Sequence, residues 1–189
     1  MTAFALPERS RQAGGAAGSI LSPALLPWLW LGLLAFAAQI LVVEAVGRAD
    51  PGSNALPALL LGAHLLLVPF LVRNFRYWGV RLILLGLLLN LAAQAANGGL
   101  MPVTAHGIDA VGRQHSSELQ TGEHIGGTKN AYMESADIRL PWLVDAIVLP
   151  LPQPFTRVVS VGDIIIGAGT LGALATITRR SLLRDRNNA

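Results

Sequence analysis

Two aspartates stand where the chain is otherwise apolar. Asp145 lies in "LPWLVDAIVLPLPQPF", and Asp163 lies a few residues inside "VVSVGDIIIGAGTLGALATIT". A carboxylate taken out of water is costly unless it is paired, protonated or facing a wet cavity. The two are 18 residues apart, and the prolines between them suit a chain that turns back on itself. Two carboxyls brought together cannot both ionise easily, so one keeps its proton. The ionised one can take a proton from water while the protonated one polarises a carbonyl. Asp145 and Asp163 are therefore candidate catalytic residues for aspartyl hydrolysis.

Other polar residues gather around them. Asn90, Gln94 and Asn97 recur at i, i+4 and i+7, so they share one helical face. Such a stripe either hydrogen-bonds a neighbouring helix or lines a wet pocket. His64 lies inside "LPALLLGAHLLLVPFLV", as a packed donor or as a pocket group. Ser160 stands three residues before Asp163. With Asn90, Gln94, Asn97 and His64 it completes the expected surroundings of the pair. Ser160 and His64 would make a nucleophile pair only with a third group, which no elbow motif supplies. Gly162, Gly167, Gly169 and Gly172 are spaced to let helices approach closely.

Three histidines, His106, His115 and His124, recur at nine-residue intervals with Glu118 and Glu123 among them. The ligand types suit zinc, but metal pairs on one element usually sit three or four residues apart. A polar loop is the expectation, with no metal and no cofactor. The absence of cysteine excludes disulfides and thiolate chemistry. "HIGGTKN", residues 124–130, is a glycine turn that lacks the G-K-[ST] ending of a phosphate loop. "NGGLMPV", residues 97–103, is a helix stop, with Gly98 or Gly99 as cap and Pro102 beyond.

The elements that must position these groups are apolar blocks. Of 189 residues, 52% are hydrophobic and 13% charged, about half the charge of an average soluble domain. Four spans are expected, at about 22–46, 56–72, 78–96 and 158–178, each near the ~20 residues that cross a bilayer. The fold class is an all-α integral membrane protein of four transmembrane helices. A partly ordered, outer-facing segment, 97–157, joins helices 3 and 4. Residues 1–20 read as a flexible cytoplasmic tail, 21–178 as the membrane domain and 179–189 as a basic cytoplasmic tail. The first span exceeds a signal peptide's apolar stretch and no clear A-x-A site follows it, so it reads as uncleaved.

Basic residues set the orientation. Arg9 and Arg11 precede the first span, Arg73, Arg76 and Arg81 sit between the second and third, and "RRSLLRDR" ends the chain. Positive-inside then places both termini and the 73–81 loop in the cytoplasm of a bacterial inner membrane. The net charge of +3 arises from these flanks, so nucleic acid is not an expected partner. The expected partners are the lipid bilayer and other membrane subunits.

Around "LVDAI" and "VSVGDII" the chain distantly resembles the lipoprotein signal peptidases, four-span aspartyl proteases of the bacterial inner membrane. Their V-V-D-F and F-N-x-A-D-S motifs each carry one aspartate of a dyad. The resemblance implies those roles for Asp145 and Asp163, and sets Asn97 at the asparagine of the family's G-N-x-x-D-R. No D-R follows Asn97 here, and Ser160 and Gly162 replace the second motif's asparagine and alanine. From Asn90 onward the chain also resembles an uncharacterised bacterial family of four-span membrane proteins, through "NGGLMPV" and "SVGDIII". That likeness implies architecture and location, and no activity. Three functions are thus expected in turn. They are a non-catalytic accessory subunit of a larger membrane complex, an intramembrane aspartyl hydrolase, and a binding or carrier protein for a lipid or quinone-like molecule.

Overall fold

A computed structural model describes residues 29–47, 55–112, 115–125, 128–152 and 155–188. The fold is mostly helical. The first apolar block gives α1, Leu29–Gly47; residues 22–28 of the expected span, and the 1–20 tail, lie outside the described residues. The second block, expected as one helix over 56–72, is two: α2 at Ala55–Leu65 and α3 at Leu67–Arg73. Pro69 explains the break, because it has no N–H to donate to the carbonyl of residue 65 and its ring crowds that carbonyl. The third block forms α4 over Trp78–Ala96, the expected bounds.

The fourth block differs at both ends from the expected 158–178. Val158 and Val159 belong to a strand, and α6 runs from Val161 to Asn188, so the basic tail continues the helix rather than leaving it. Two of these helices are long and apolar enough to cross a membrane: Trp78–Ala96, mean hydropathy 1.7, and Val161–Arg179, mean hydropathy 1.6. Two shorter apolar helical stretches, Trp30–Val42 within α1 and Pro57–Arg73 across α2 and α3, accompany them. Only 17% of the most apolar window of α6 is buried, and Leu171 and Leu174 face outward.

The expectation of an all-α fold needs correcting in the segment between α4 and α6. Strand β1 (Met101–Val103) pairs in parallel with β2 (Asn130–Tyr132), and β3 (Ile147–Leu149) pairs antiparallel with β4 (Arg157–Val159). A short helix, α5 at Ala105–Val111, follows β1, capped by Thr104 and closed by Gly112 at φ 69°. The β-branched stretches of β3 and β4, with prolines in the turn between them, favour strands over helix there. Met101, Pro102 and Val103 are all buried, and Ala93, Met101, Ile138 and Val144 form a core beneath this cap.

The main helix pair is α4 against α6, running antiparallel, and glycine makes it close. A Cβ on Gly79 would lie 2.5 Å from the carbonyl oxygen of Gly169, and one on Gly86 would lie 2.5 Å from that of Gly162. Gly172 faces the Trp78 ring. Gly167, expected on this packing face, has nothing within 4 Å of its Cβ position. It points away because it is offset by about 100° per residue from the Gly162–Gly169 line. The basic 73–81 turn lies at one end of α4 and the strand cap at the other, about 28 Å apart at 1.5 Å per residue. Arg81 there donates to the Phe75 carbonyl at 2.9 Å and stacks on its ring.

Candidate functional site

The β3–β4 ladder brings the two aspartates together. Ile147 pairs with Val159, so Asp145, two residues before the ladder, lies beside the start of α6. Ser160 caps that helix. The Asp163 N–H donates to Ser160 Oγ at 3.0 Å, and the Ser160 N–H donates back to Asp163 Oδ2 at 3.3 Å. This reciprocal pair is a capping box with aspartate in the place usual for glutamate. Asn90 of α4 then fixes the carboxyl: its Nδ2 donates to Asp163 Oδ1 at 2.7 Å, while its Oδ1 accepts from Ser160 Oγ at 2.8 Å. A Cβ on Gly162 would fall 2.0 Å from Asn90 Oδ1, so only glycine admits this asparagine.

Strand β1 holds the other side. Its Met101 N–H donates to the Lys129 carbonyl, and its Pro102 carbonyl accepts from the Asp145 N–H at 3.1 Å. One strand thus carries the segment bearing Lys129 and Asn130 on one edge and Asp145 on the other. Asn130 Nδ2 donates to Asp145 Oδ2 at 2.7 Å. Lys129 Nζ sits 3.4 Å from both oxygens of Asp163. That exceeds the ~2.7–2.9 Å of a strong charged hydrogen bond. Lys129 therefore supplies charge, and Asn90 supplies orientation.

Asp145 and Asp163 stand near enough for the charge of one to act on the other. Asp145 is 2% exposed, and its Oδ1 has no donor among the described residues. Burial pushes its carboxyl up to about 6, with the Asp163 charge adding to the rise and Lys129 and Asn130 opposing it. The two carboxyls stand beside one cation, Lys129.

Asp163, Lys129, Asn90 and Asn130 face a cavity of about 570 Å³ bounded by α1, α2, α3, α4 and α6, within the ~300–1,000 Å³ usual for small-molecule pockets. His64 and Gln39 line it too, and the rest of its wall is mostly apolar. His64 Nδ1 donates to the Leu60 carbonyl at 2.7 Å. Asp145 lies behind this wall.

The remaining expected site residues divide. Asn90, Ser160 and His64 are at the pair or its cavity. Gln94 is fully buried in α4 without a hydrogen-bond partner among the described residues. Asn97 is a clamp: its Nδ2 donates to the Ala93 and Arg139 carbonyls at 2.7 and 2.8 Å, and its Oδ1 accepts from the Arg139 N–H at 2.8 Å. It thereby holds the chain where Leu140 takes φ 53°, a conformation costly for a bulky residue. Asn97→Ala is expected to lower stability by about 2 kcal/mol, read as a lowered melting temperature in detergent. An unchanged melting temperature would remove the clamp from this account.

His124 Nε2 donates to the Thr128 carbonyl at 2.7 Å, while His106 and His115 are exposed. Among the described residues no group of three metal-ligating side chains converges. Asp109 accepts both the N–H and the hydroxyl of Ser116, which hold its carboxyl below the usual range.

Lys129 and Asn130 are absent from the sequence-based expectation, in which "HIGGTKN" is only a turn. A signal existed: Lys129 is the one lysine among fourteen basic residues. The pattern Ser160-x-x-Asp163 before an apolar run is likewise a capping-box signature.

Fold and site together define a small, mostly helical protein with two helices long and apolar enough to cross a membrane and, at one end of the bundle, a buried Asp145 beside a half-buried Asp163. The profile of a family of unknown function, DUF5317, matches residues 24–175, and the chain belongs to that family. No curated protein and no solved structure matches it.

Proposed function

We propose that this chain is an integral protein of the bacterial cytoplasmic membrane that binds an amphiphilic molecule in the cavity beside Asp163. Both termini and the 73–81 turn face the cytoplasm in this reading, and the strand cap faces outward. The carrying observation is the cavity itself, apolar along its wall and polar at the Asp163–Lys129 end, the usual form of a small-molecule site. The expectation of an accessory subunit drew on the glycine face and the polar stripe of α4. Gly162 and Gly169 pack against α4 of the same chain, and Asn90 binds Asp163, so those features support it less.

The test is retention of lipid by native mass spectrometry after purification in detergent. Thr170 lines the cavity and is exposed, so Thr170→Trp is expected to fill the space and lose bound lipid while the melting temperature holds. Equal retention by both proteins would sink the reading.

A second reading is aspartyl hydrolysis of a bound ester or amide, favoured by Asp145 and Asp163 lying near enough for their charges to act on each other. Asp163 would take a proton from a cavity water as that water attacks the carbonyl, and Asp145 behind it would tune the basicity of Asp163. Cleavage of dodecanoyl p-nitroanilide in nanodiscs should then vanish in Asp145→Asn. Absence of cleavage by the unaltered protein removes this reading and leaves the first standing.

A further inference from the structure

The cavity has depth and polarity along one axis. Its polar end holds Asn90 and Asp163, and Ile83 and Thr170 line it further along the same two helices. Each pair is seven residues apart, about 10 Å of helix. Phe36 of α1 and Thr170 of α6 flank it and are both exposed. α1 packs on α2 and α3 while α6 packs on α4, so the cavity reaches the apolar outer surface between α1 and α6. A ligand entering there comes from lipid, tail and all.

The polar end also selects by charge and by hydrogen bonding. Lys129 is already set against Asp163, so a charged head finds no unmatched counter-charge. An acceptor is among the groups left over. With Nδ1 of His64 committed to the Leu60 carbonyl, the neutral ring presents Nε2 as an acceptor. That nitrogen has no partner among the described residues. Gln39 directs Nε2 toward the Ala63 carbonyl at 3.5 Å. Gln39, His64, Lys129 and Asp163 all line the one cavity.

We infer that the occupant is an uncharged, hydroxyl-headed amphiphile that enters laterally between α1 and α6 and donates its hydroxyl to His64 Nε2. This inference rests on the binding reading above. An acylglycerol and an isoprenoid alcohol share this chemistry.

The experiment measures binding to the full chain in nanodiscs of four twelve-carbon probes: dodecanol, methyl dodecyl ether, dodecanoate and dodecyltrimethylammonium. Dodecanol is expected to bind at least about tenfold tighter than each of the others, about 1.4 kcal/mol. In His64→Phe that advantage should fall to within about twofold of the ether, with the ether's own affinity unchanged. The ¹⁵N resonance of His64 Nε2 should shift with dodecanol and stay in place with the ether. Dioctanoylglycerol against farnesol then separates the two natural sources by which binds tighter. Equal binding of alcohol and ether, or a preference for either charged probe, overturns the hydroxyl inference alone. Failure of all four to bind overturns the cavity reading with it.

Discussion

Gly162→Ala is expected to be among the most damaging single-methyl changes in this protein. The added Cβ would lie 2.0 Å from Asn90 Oδ1 and 2.7 Å from the Gly86 carbonyl oxygen. The first contact displaces the side chain that orients Asp163, and the second is with backbone that cannot rotate away. Overpacking of this kind costs about 1–3 kcal/mol, and losing a hydrogen bond to a charged group adds about 1.5–3 kcal/mol. A loss near 4 kcal/mol is a large share of a typical folding free energy. The control is Gly167→Ala, where nothing stands within 4 Å and a helix gains about 0.5–1 kcal/mol by exchanging glycine for alanine. Melting temperatures of the two variants in one detergent should move in opposite directions. Should Gly162→Ala melt with the unaltered protein, the close α4–α6 contact is wrong.

Asp145→Asn should do the reverse and stabilise the protein at neutral pH. Asp145 titrates near 6 in the fold against an ordinary 3.8, so the folded state holds this proton more tightly than the unfolded chain. The stabilisation is fully present below about pH 4 and is lost as pH rises through about 6. At about 1.4 kcal/mol per unit, the gap amounts to about 3 kcal/mol. Asparagine keeps an oxygen for Asn130 and is uncharged at every pH, so the variant resembles the protonated form throughout. Unfolding free energies of the two proteins should match near pH 4 and separate by about 3 kcal/mol at pH 8, the variant being the more stable. A constant difference across that range would show that Asp145 does not titrate in the fold. Asp163→Asn should be destabilising instead, because Lys129 then loses its ion-pair partner at 3.4 Å. If the carboxyl pair is hydrolytic, Asp145→Asn also removes cleavage, so activity and stability would move apart.

Much of the frame is written in short-range pattern. The α4 bounds, the helix stop at residues 97–99 and the basic turn at 73–81 follow from apolar runs, glycine and arginine, which act over a few residues. The burial of Asp145 and Asp163 in apolar sequence already demanded a partner for each. The break at Pro69 and the capping box at Ser160 and Asp163 were also legible, since both obey local rules.

What joins distant residues was not legible. Asn90 reaches Asp163 across 73 positions, Lys129 reaches it across 34, and Asn130 reaches Asp145 across 15. Those meetings depend on the register of β3 on β4, on β1 lying between Lys129 and Asp145, and on glycines that let α4 and α6 touch. A one-residue slip in either ladder would turn the side chains to the opposite face. Asn97 and Asn90 lie on one stripe of one helix, yet one clamps a loop and the other holds a carboxyl. The stripe fixes only the direction in which each side chain leaves the helix. The segment that arrives opposite it is set by tertiary packing, and that decided where the carboxyl pair, its lysine and the cavity came together.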